Sequence, residues 1–151
     1  MKTGMTFELI DHTDECIQAK NEACLKAAEM IGLQAEGYAK MLCPVGTPES
    51  TGIEGYHGGT LRNSITHTTE QDDTDTAAIL GSPTSYAVYV EHGTGIYADN
   101  GNGRKTPWVW VDENGKGHRT VGMQPRHFFK NAISDHIVEY ELITENCLKG
   151  G

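Results

Sequence analysis

The residues of this chain whose side chains could perform chemistry are seven histidines, a glutamate adjacent to one of them, and four cysteines. Glu91 and His92 stand together before a glycine and have the composition of a general acid–base pair. No GxSxG segment supplies a nucleophile for that pair. The histidines occur singly, without the HxxxH or HExxH spacing that places two imidazoles on one metal. The sequence therefore favours neither a hydrolase nor a metal site. The seven histidines are His12, His57, His67, His92, His118, His127 and His136.

Two glycine-rich segments resemble ligand-binding loops, but each lacks a required feature. Residues 93–98 match the GxGxxA form of a dinucleotide fingerprint, which needs a helix that holds the pyrophosphate at its amino end. Residues 99–103 are instead Asp, Asn and Gly, a composition that does not continue a helix. Residues 112–117 resemble the start of a calcium loop, but Met123 occupies the twelfth position, where an EF-hand needs a bidentate glutamate. We expect no cofactor, no metal and no enzymatic activity.

A long amphipathic helix is predicted over about Thr13–Leu42. Pro44 ends it, because the residue before a proline is biased out of the helical region. Gly32 and Gly37 weaken its middle by roughly 1 kcal/mol each relative to alanine and favour a bend. Its predicted apolar stripe consists of Ile17, Cys24, Ala27, Ile31, Ala35, Tyr38 and Leu42.

Short strands and loops are predicted in the middle of the chain. After a loop at about 44–60, alternation predicts a strand over Leu61–Thr69, and a second strand follows a polar turn at Ala77–Gly81. The segment from Tyr86 satisfies helical spacing and also suits a strand, so the periodicity leaves both open. The glycine, asparagine and charged residues at 93–106 predict a mobile loop or an extended hairpin tip.

The last third of the chain predicts a hairpin followed by a helix. Trp108–Val111 and His118–Val121 flank Asn114-Gly115, a strong hairpin signal. Either the two tryptophans or the two valines of the first strand face outward. Pro125 opens a second amphipathic helix whose predicted stripe is Phe129, Ala132, Ile133, His136, Ile137, Tyr140 and Ile143. The fold class is therefore α+β, with a long N-terminal helix and a C-terminal helix packed on a small antiparallel sheet.

Three blocks of sequence, separated by loops, carry the functional signal. They read GGTLRNSI at 58–65, YAVYVEHGT at 86–94 and QPRHFFKNA at 124–132. In this order and at this spacing, over about 43–132, they resemble the gene-product-ten-like tail components of siphophages. The residues that match that family's motifs, and that we treat as candidate interface positions, are Leu61, Arg62, Tyr86, Tyr89, Glu91, Gly93, Thr94, Pro125 and Phe128.

The resemblance implies a non-enzymatic structural subunit that completes the phage tail or joins the tail to the head, working as a ring. The implied partners are further copies of this chain and other neck, connector or tail-tube proteins. The implied location is the host cytoplasm during assembly and then the virion. A tail terminator, which stops growth of the tail tube, is the alternative within this class. A small-molecule binding module or accessory enzyme of a prophage is the alternative from another class, and it would need a pocket with convergent polar groups.

Composition narrows the partners further. A length of 151 residues suits one domain over 1–151, and the net charge is −9. Wrapping of nucleic acid needs Lys and Arg to replace phosphate counterions, so sequence-specific binding is disfavoured, although an acidic wall still lets DNA pass nearby. No apolar run approaches the ~20 residues that span a bilayer. Residues 1–11 lack the apolar stretch of a secretory signal, so we expect a cytoplasmic protein without a membrane partner.

Two further expectations concern particular side chains. In the cytosol the four cysteines, which form no CxxC pair, are expected to be unpaired thiols. Glu91 beside an apolar segment needs a partner if it is buried, and Arg62 is the best candidate by type. The sequence leaves open whether these two form a buried pair or both face water.

Overall fold

The computed structural model describes residues 10–150, in which the chain forms six helices, one 3₁₀ turn and two hairpins. The expectation about a secretory signal falls largely on residues 1–9, outside the described range. None of the described helices is long and apolar enough to cross a membrane. The elements are α1 Thr13–Leu42, α2 Pro48–Thr51, α3 Thr60–Ser64, β1 Thr66–Gln71, β2 Thr76–Gly81, α4 Ala87–His92, the 3₁₀ turn Gly95–Tyr97, β3 Trp108–Val111, β4 Gly117–Thr120, α5 Phe128–Ser134 and α6 Ile137–Lys149.

The α+β class is confirmed, with the strands divided between two separate antiparallel hairpins. The first hairpin pairs Thr66 with Gly81 at one end and Gln71 with Thr76 at the other. It packs on α1, as do α5 and α6. The second hairpin pairs Trp108 with Thr120, close to the predicted strands. Helix α1 is therefore the element on which the first hairpin and the C-terminal helices assemble.

Helix α1 has the predicted bounds, but its buried face differs from the predicted stripe. It runs without interruption through both glycines, and its buried residues are all small, because β1, β2, α5 and α6 all approach it closely. Ile17 and Leu42, at the ends of the predicted stripe, are about half exposed. Ala27 and Ala35 of the predicted stripe are buried, because the close approach of these elements leaves room only for small side chains. The buried residues of the helix are Ala27, Ala28, Gly32, Ala35 and Ala39.

The predicted strand over Leu61–Thr69 is wrong in its first half. Residues 60–64 form the short helix α3, which follows Gly59 at φ 116°. Leu61 and Ile65 are both buried, a spacing of four that is also helical. Because both must reach the same core, the chain coils before the strand begins. The predicted loop at 44–60 likewise contains α2, which starts with a capping box between Thr47 and Ser50.

The predicted C-terminal helix begins at Phe128 and is broken at residues 135–136 into α5 and α6. In an unbroken helix the carbonyl of Ala132 would accept the N–H of His136. Here the hydroxyl of Tyr140 donates to that carbonyl at 2.7 Å. The ring of His136 stacks on Tyr38 with centroids 3.5 Å apart. The helix is interrupted where these two side chains turn towards the core, and His136 of the predicted stripe is partly buried.

Gly32 makes room for a polar contact between α1 and β1. A Cβ atom at Gly32 would lie 2.4 Å from the ring of His67. The Nδ1 of His67 lies 2.6 Å from Glu36 Oε2, and its backbone N–H donates to the same oxygen at 3.2 Å. The hydrogen bond with Glu36 raises the pKa of His67, and bonds with Lys40 and His67 lower the pKa of Glu36.

This pair predicts a pH-dependent stability. Because the pKa of His67 is raised on folding, its contribution is fully present below the ordinary pKa of 6.5 and is lost as the pH rises through the higher folded value. The free energy of unfolding of the wild type should therefore fall, relative to that of the His67→Gln variant, as the pH rises above about 6.5. Urea unfolding at several pH values measures this difference. The exposed His57, replaced by Gln, is the matched control and should follow the wild type; parallel curves for His67→Gln and wild type would refute the prediction.

Candidate functional site

The second and third sequence blocks meet at a junction built around Glu91. The block from Tyr86 forms helix α4, which settles the choice between helix and strand. Glu91 lies in the last turn of that helix and is only 6% exposed. Its Oε2 accepts the backbone N–H of Phe129 at 2.9 Å, and its Oε1 accepts that of Lys130 at 3.0 Å. One carboxylate thus satisfies two N–H groups in the first turn of α5.

This contact is favourable because the first N–H groups of a helix have no partner within it. The positive end of the helix dipole also favours a negative charge there. Two backbone bonds reinforce the junction, since the N–H groups of Arg126 and His127 donate to the carbonyls of Val90 and Glu91 at 2.9 and 3.1 Å. Helices α4 and α5 are therefore tied together by side chain and backbone. We call this arrangement the Glu91 junction.

The suggested pairing of Glu91 with Arg62 does not form. Glu91 is buried, as one of the two alternatives required, but its partners are backbone N–H groups rather than a guanidinium. Arg62 is exposed on α3. The sequence left open whether Glu91 is buried, and its partners, which lie 38 and 39 positions away, had no local signal.

Gly93 and Thr94 continue the junction by running beside residues 121–125. The N–H of Thr94 donates to the carbonyl of Met123 at 2.8 Å, and the N–H of Met123 donates to the Thr94 hydroxyl at 3.0 Å. A Cβ atom at Gly93, which has φ 74°, would lie 2.8 Å from Pro125. The first part of the predicted mobile loop 93–106 is therefore held by hydrogen bonds. The role of Gly93, Thr94 and Pro125 is therefore structural, since they lie where residues 93–94 pack against residues 121–125.

The nine candidate residues thus divide into three groups. Leu61 and Phe128 lie in the core with Ile65, Ala87 and Ala132, so all three blocks contribute to one interior. Glu91, Gly93, Thr94 and Pro125 form the junction beside it. The side chains that remain available to a partner are Arg62, Tyr86 and Tyr89.

A groove of about 610 Å³ lies beside the junction, lined in part by Val88, Tyr89 and Ala98. His92 Nδ1 lies 3.0 Å from Asp99 Oδ2 at its edge, and this hydrogen bond lowers the pKa of Asp99. His127, at φ 50°, points its Nδ1 towards the same carboxylate at 3.9 Å. The sequence offered no signal for this cluster, because its members are distant in the chain.

The groove provides an acid–base pair of His92 and Asp99 rather than the Glu91–His92 pair considered from the sequence. Its described lining contains neither serine nor cysteine, and the hydroxyl of Thr94 accepts the N–H of Met123. Among residues 10–150 no three His, Cys, Asp or Glu side chains are arranged to hold a metal. The segment that resembled a dinucleotide fingerprint forms a single 3₁₀ turn, which cannot supply the required helix. All four cysteines, Cys16, Cys24, Cys43 and Cys147, are free thiols.

Fold and junction together define a class: an α+β subunit with a small core, two internally tied sequence blocks and several apolar faces left open. Comparison with models of known protein families, with curated proteins and with solved structures finds no match for the chain. The likeness to the gene-product-ten-like tail components therefore stays a prediction made from the three blocks.

Proposed function

We propose that this protein is a non-enzymatic structural subunit of a tailed phage or prophage, which completes the tail or joins it to the head and works as a ring. It would act first in the host cytoplasm and then in the virion, next to connector or tail-tube proteins. The proposal rests on the resemblance of the three blocks and on one physical observation, the surface of the isolated subunit. Tyr86, Tyr89 and Arg62 are the motif residues available for its contacts.

The surface of the subunit is larger than a monomer of this size needs. It measures 11103 Å² for 16.5 kDa, whereas a folded monomer is expected to expose about 7,600 Å². Residues 1–9 and 151, even counted as fully extended chain, would account for only about 1,600 Å² of the difference. A surplus of roughly 2,000 Å² remains, enough for two standard interfaces of ~800 Å² on each subunit. A subunit with two neighbours is what a ring requires.

The chemistry of the open surface supports the same conclusion. Phe128 and Ile65 are the largest fully buried side chains, so the described core is small for a chain of this length. Large apolar side chains lie open on α1, α4, α6 and the second hairpin, and Leu33, Val88 and Val138 are each more than half exposed. Exposed large apolar side chains on several elements are surface that contacts with other proteins would cover. The net charge of −9 suits a ring past which DNA slides without binding.

Size and location test the proposal. The purified protein should be multimeric by light scattering or native mass spectrometry, and antibody labelling of virions should mark the neck or the end of the tail. A protein absent from purified virions would contradict the proposal. Labelling along the whole tail would also contradict it, since a tube protein and not a ring at one end would give that pattern.

A further inference from the structure

Charge is unevenly distributed in this acidic chain, and the segment that leads into and forms the second hairpin is positive. Residues 104–121 carry four basic and two acidic side chains, whereas the rest of the chain carries eight basic and nineteen acidic ones. This segment is therefore the positive part of a negative protein. It is a natural partner for an acidic surface, and the other copies of the chain provide one.

One face of the hairpin combines this charge with open apolar surface. Val109 lies opposite Arg119 and Val111 lies opposite Gly117, so their side chains share one face of the ladder. Both valines are 63% exposed and Arg119 is also exposed. Arg119 makes no ion pair with any of residues 10–150. We call Val109, Val111 and Arg119 the valine face. The other face is partly covered by the stacking of Trp110 on His118 at 4.5 Å.

A complementary face runs along the outside of α6. At 3.6 residues per turn, the positions 137, 138, 141, 142 and 145 fall on one side of the helix. Their side chains are exposed, and Ile137, Glu141 and Glu145 line part of a shallow depression of about 420 Å³. Glu145 pairs with Lys149 at 3.0 Å, whereas Glu141 has no ion pair within the described chain. We call Ile137, Val138, Glu141, Leu142 and Glu145 the acidic face.

We propose that the valine face of one copy packs on the acidic face of α6 in the next copy, with Arg119 placed against the carboxylate of Glu141. The two faces belong to elements anchored in different parts of the subunit. Helix α6 packs on α1, while the chain that follows β4 is bound to the 3₁₀ turn through the N–H of Ile96 and the carbonyl of Val121 at 3.0 Å. A contact between two different faces is heterologous, and a head-to-tail contact of this kind forms a ring when the rotation between neighbouring copies closes.

The occupant is a second copy rather than a foreign protein for two reasons. The surplus surface of the subunit matches two interfaces, and the pairing of the valine and acidic faces uses one of each kind per subunit. Both faces carry exposed apolar side chains, and their charges are opposite, so each face provides the charge that the other lacks. The inference rests on the proposed function only for the premise that the protein works as a multimer.

Charge exchange tests the pairing. Arg119→Glu or Glu141→Arg alone places like charges together, and each should weaken self-association by roughly tenfold or more. The double variant Arg119→Glu/Glu141→Arg should recover it. An equimolar mixture of the two single variants should also recover self-association. In a ring in which the two variants alternate, every contact joins opposite charges. Lys105→Glu, a reversal at an exposed position outside both faces, is the matched control and should assemble like the wild type.

Assembly is measured by analytical ultracentrifugation over a range of concentrations, and circular dichroism checks that each variant is folded. Recovery in both the double variant and the mixture is the expected result. Unchanged assembly of the single variants, failure of both recoveries, or a wild type that stays monomeric would overturn the pairing. The proposed function is judged separately, by the location of the wild-type protein in virions, so a neck protein whose single variants assemble normally would lose only this interface.

Discussion

Replacement of Gly95 by alanine is expected to lower the free energy of unfolding by at least about 3 kcal/mol. Gly95 has φ 63°, and a Cβ atom there would lie 2.0 Å from the backbone oxygen of Val121. Backbone cannot give way as a flexible side chain does. The two segments must therefore separate, and the hydrogen bond from Ile96 to Val121 is lost.

Gly101 is the matched control for this experiment. Its φ of 71° is similar, but a Cβ atom there meets nothing within 4 Å. Gly101→Ala should therefore cost only the backbone strain of about 1–2 kcal/mol. Chemical denaturation gives both values, and the larger loss should lower the melting temperature by roughly 6–12 °C. Equal losses in the two variants would show that the close approach of Gly95 to Val121 does not exist in solution.

The second large effect is expected at Glu91. Glu91→Ala leaves the part-buried N–H groups of Phe129 and Lys130 without their acceptor, at a cost of about 1–3 kcal/mol each. A loss of roughly 3–5 kcal/mol in the free energy of unfolding follows. Glu91→Gln keeps the shape and one acceptor oxygen, but it presents an NH₂ group to the other N–H, so an intermediate loss is expected.

Glu113→Ala at the exposed tip of the second hairpin is the control for Glu91 and should change the free energy of unfolding by less than about 0.5 kcal/mol. Hydrogen exchange gives a second readout, since the amides of Phe129 and Lys130 should exchange faster in Glu91→Ala. A variant that unfolds within about 1 kcal/mol of the wild type would mean that water replaces the carboxylate, and the Glu91 junction would not hold the two blocks together.

Local signals predicted the elements of this fold better than its contacts. The bounds of α1 followed from helical spacing and from Pro44, and the second hairpin followed from Asn114-Gly115. Leu61–Ser64 was assigned to a strand because alternation and a helical turn both bury Leu61 and Ile65. The choice between them depends on a core completed by Phe128, which lies more than sixty positions further along the chain.

At the candidate site, too, the sequence predicted local features but not contacts between distant residues. A carboxylate in an apolar segment predicted that Glu91 would need a partner, and the structure provides one. Its identity as the first turn of α5 depends on how α4 and α5 meet, which no local pattern encodes. The cluster of His92, Asp99 and His127 was missed for the same reason, since the glycine-rich loop between its members carries no periodic signal.

The open faces of the subunit explain why its apolar stripes were hard to assign. The helical pattern placed Ile137 in the core, yet Ile137 is about half exposed on α6, next to the open Val138. In the proposed ring these side chains are covered by the next copy. A stripe that is exposed in one subunit and buried in the assembly has the same sequence pattern as a core stripe, so the sequence alone does not separate the two.

Electron microscopy of a lysate from phage that lack this protein tests the central claim most directly. A subunit that completes the tail or joins it to the head predicts DNA-filled heads beside separate tails of normal length, and supply of the wild-type protein should restore joined particles. Abnormally long tails would instead identify a terminator that stops growth of the tube. Intact virions in its absence would contradict the structural role and favour an accessory protein that uses the groove beside Tyr89.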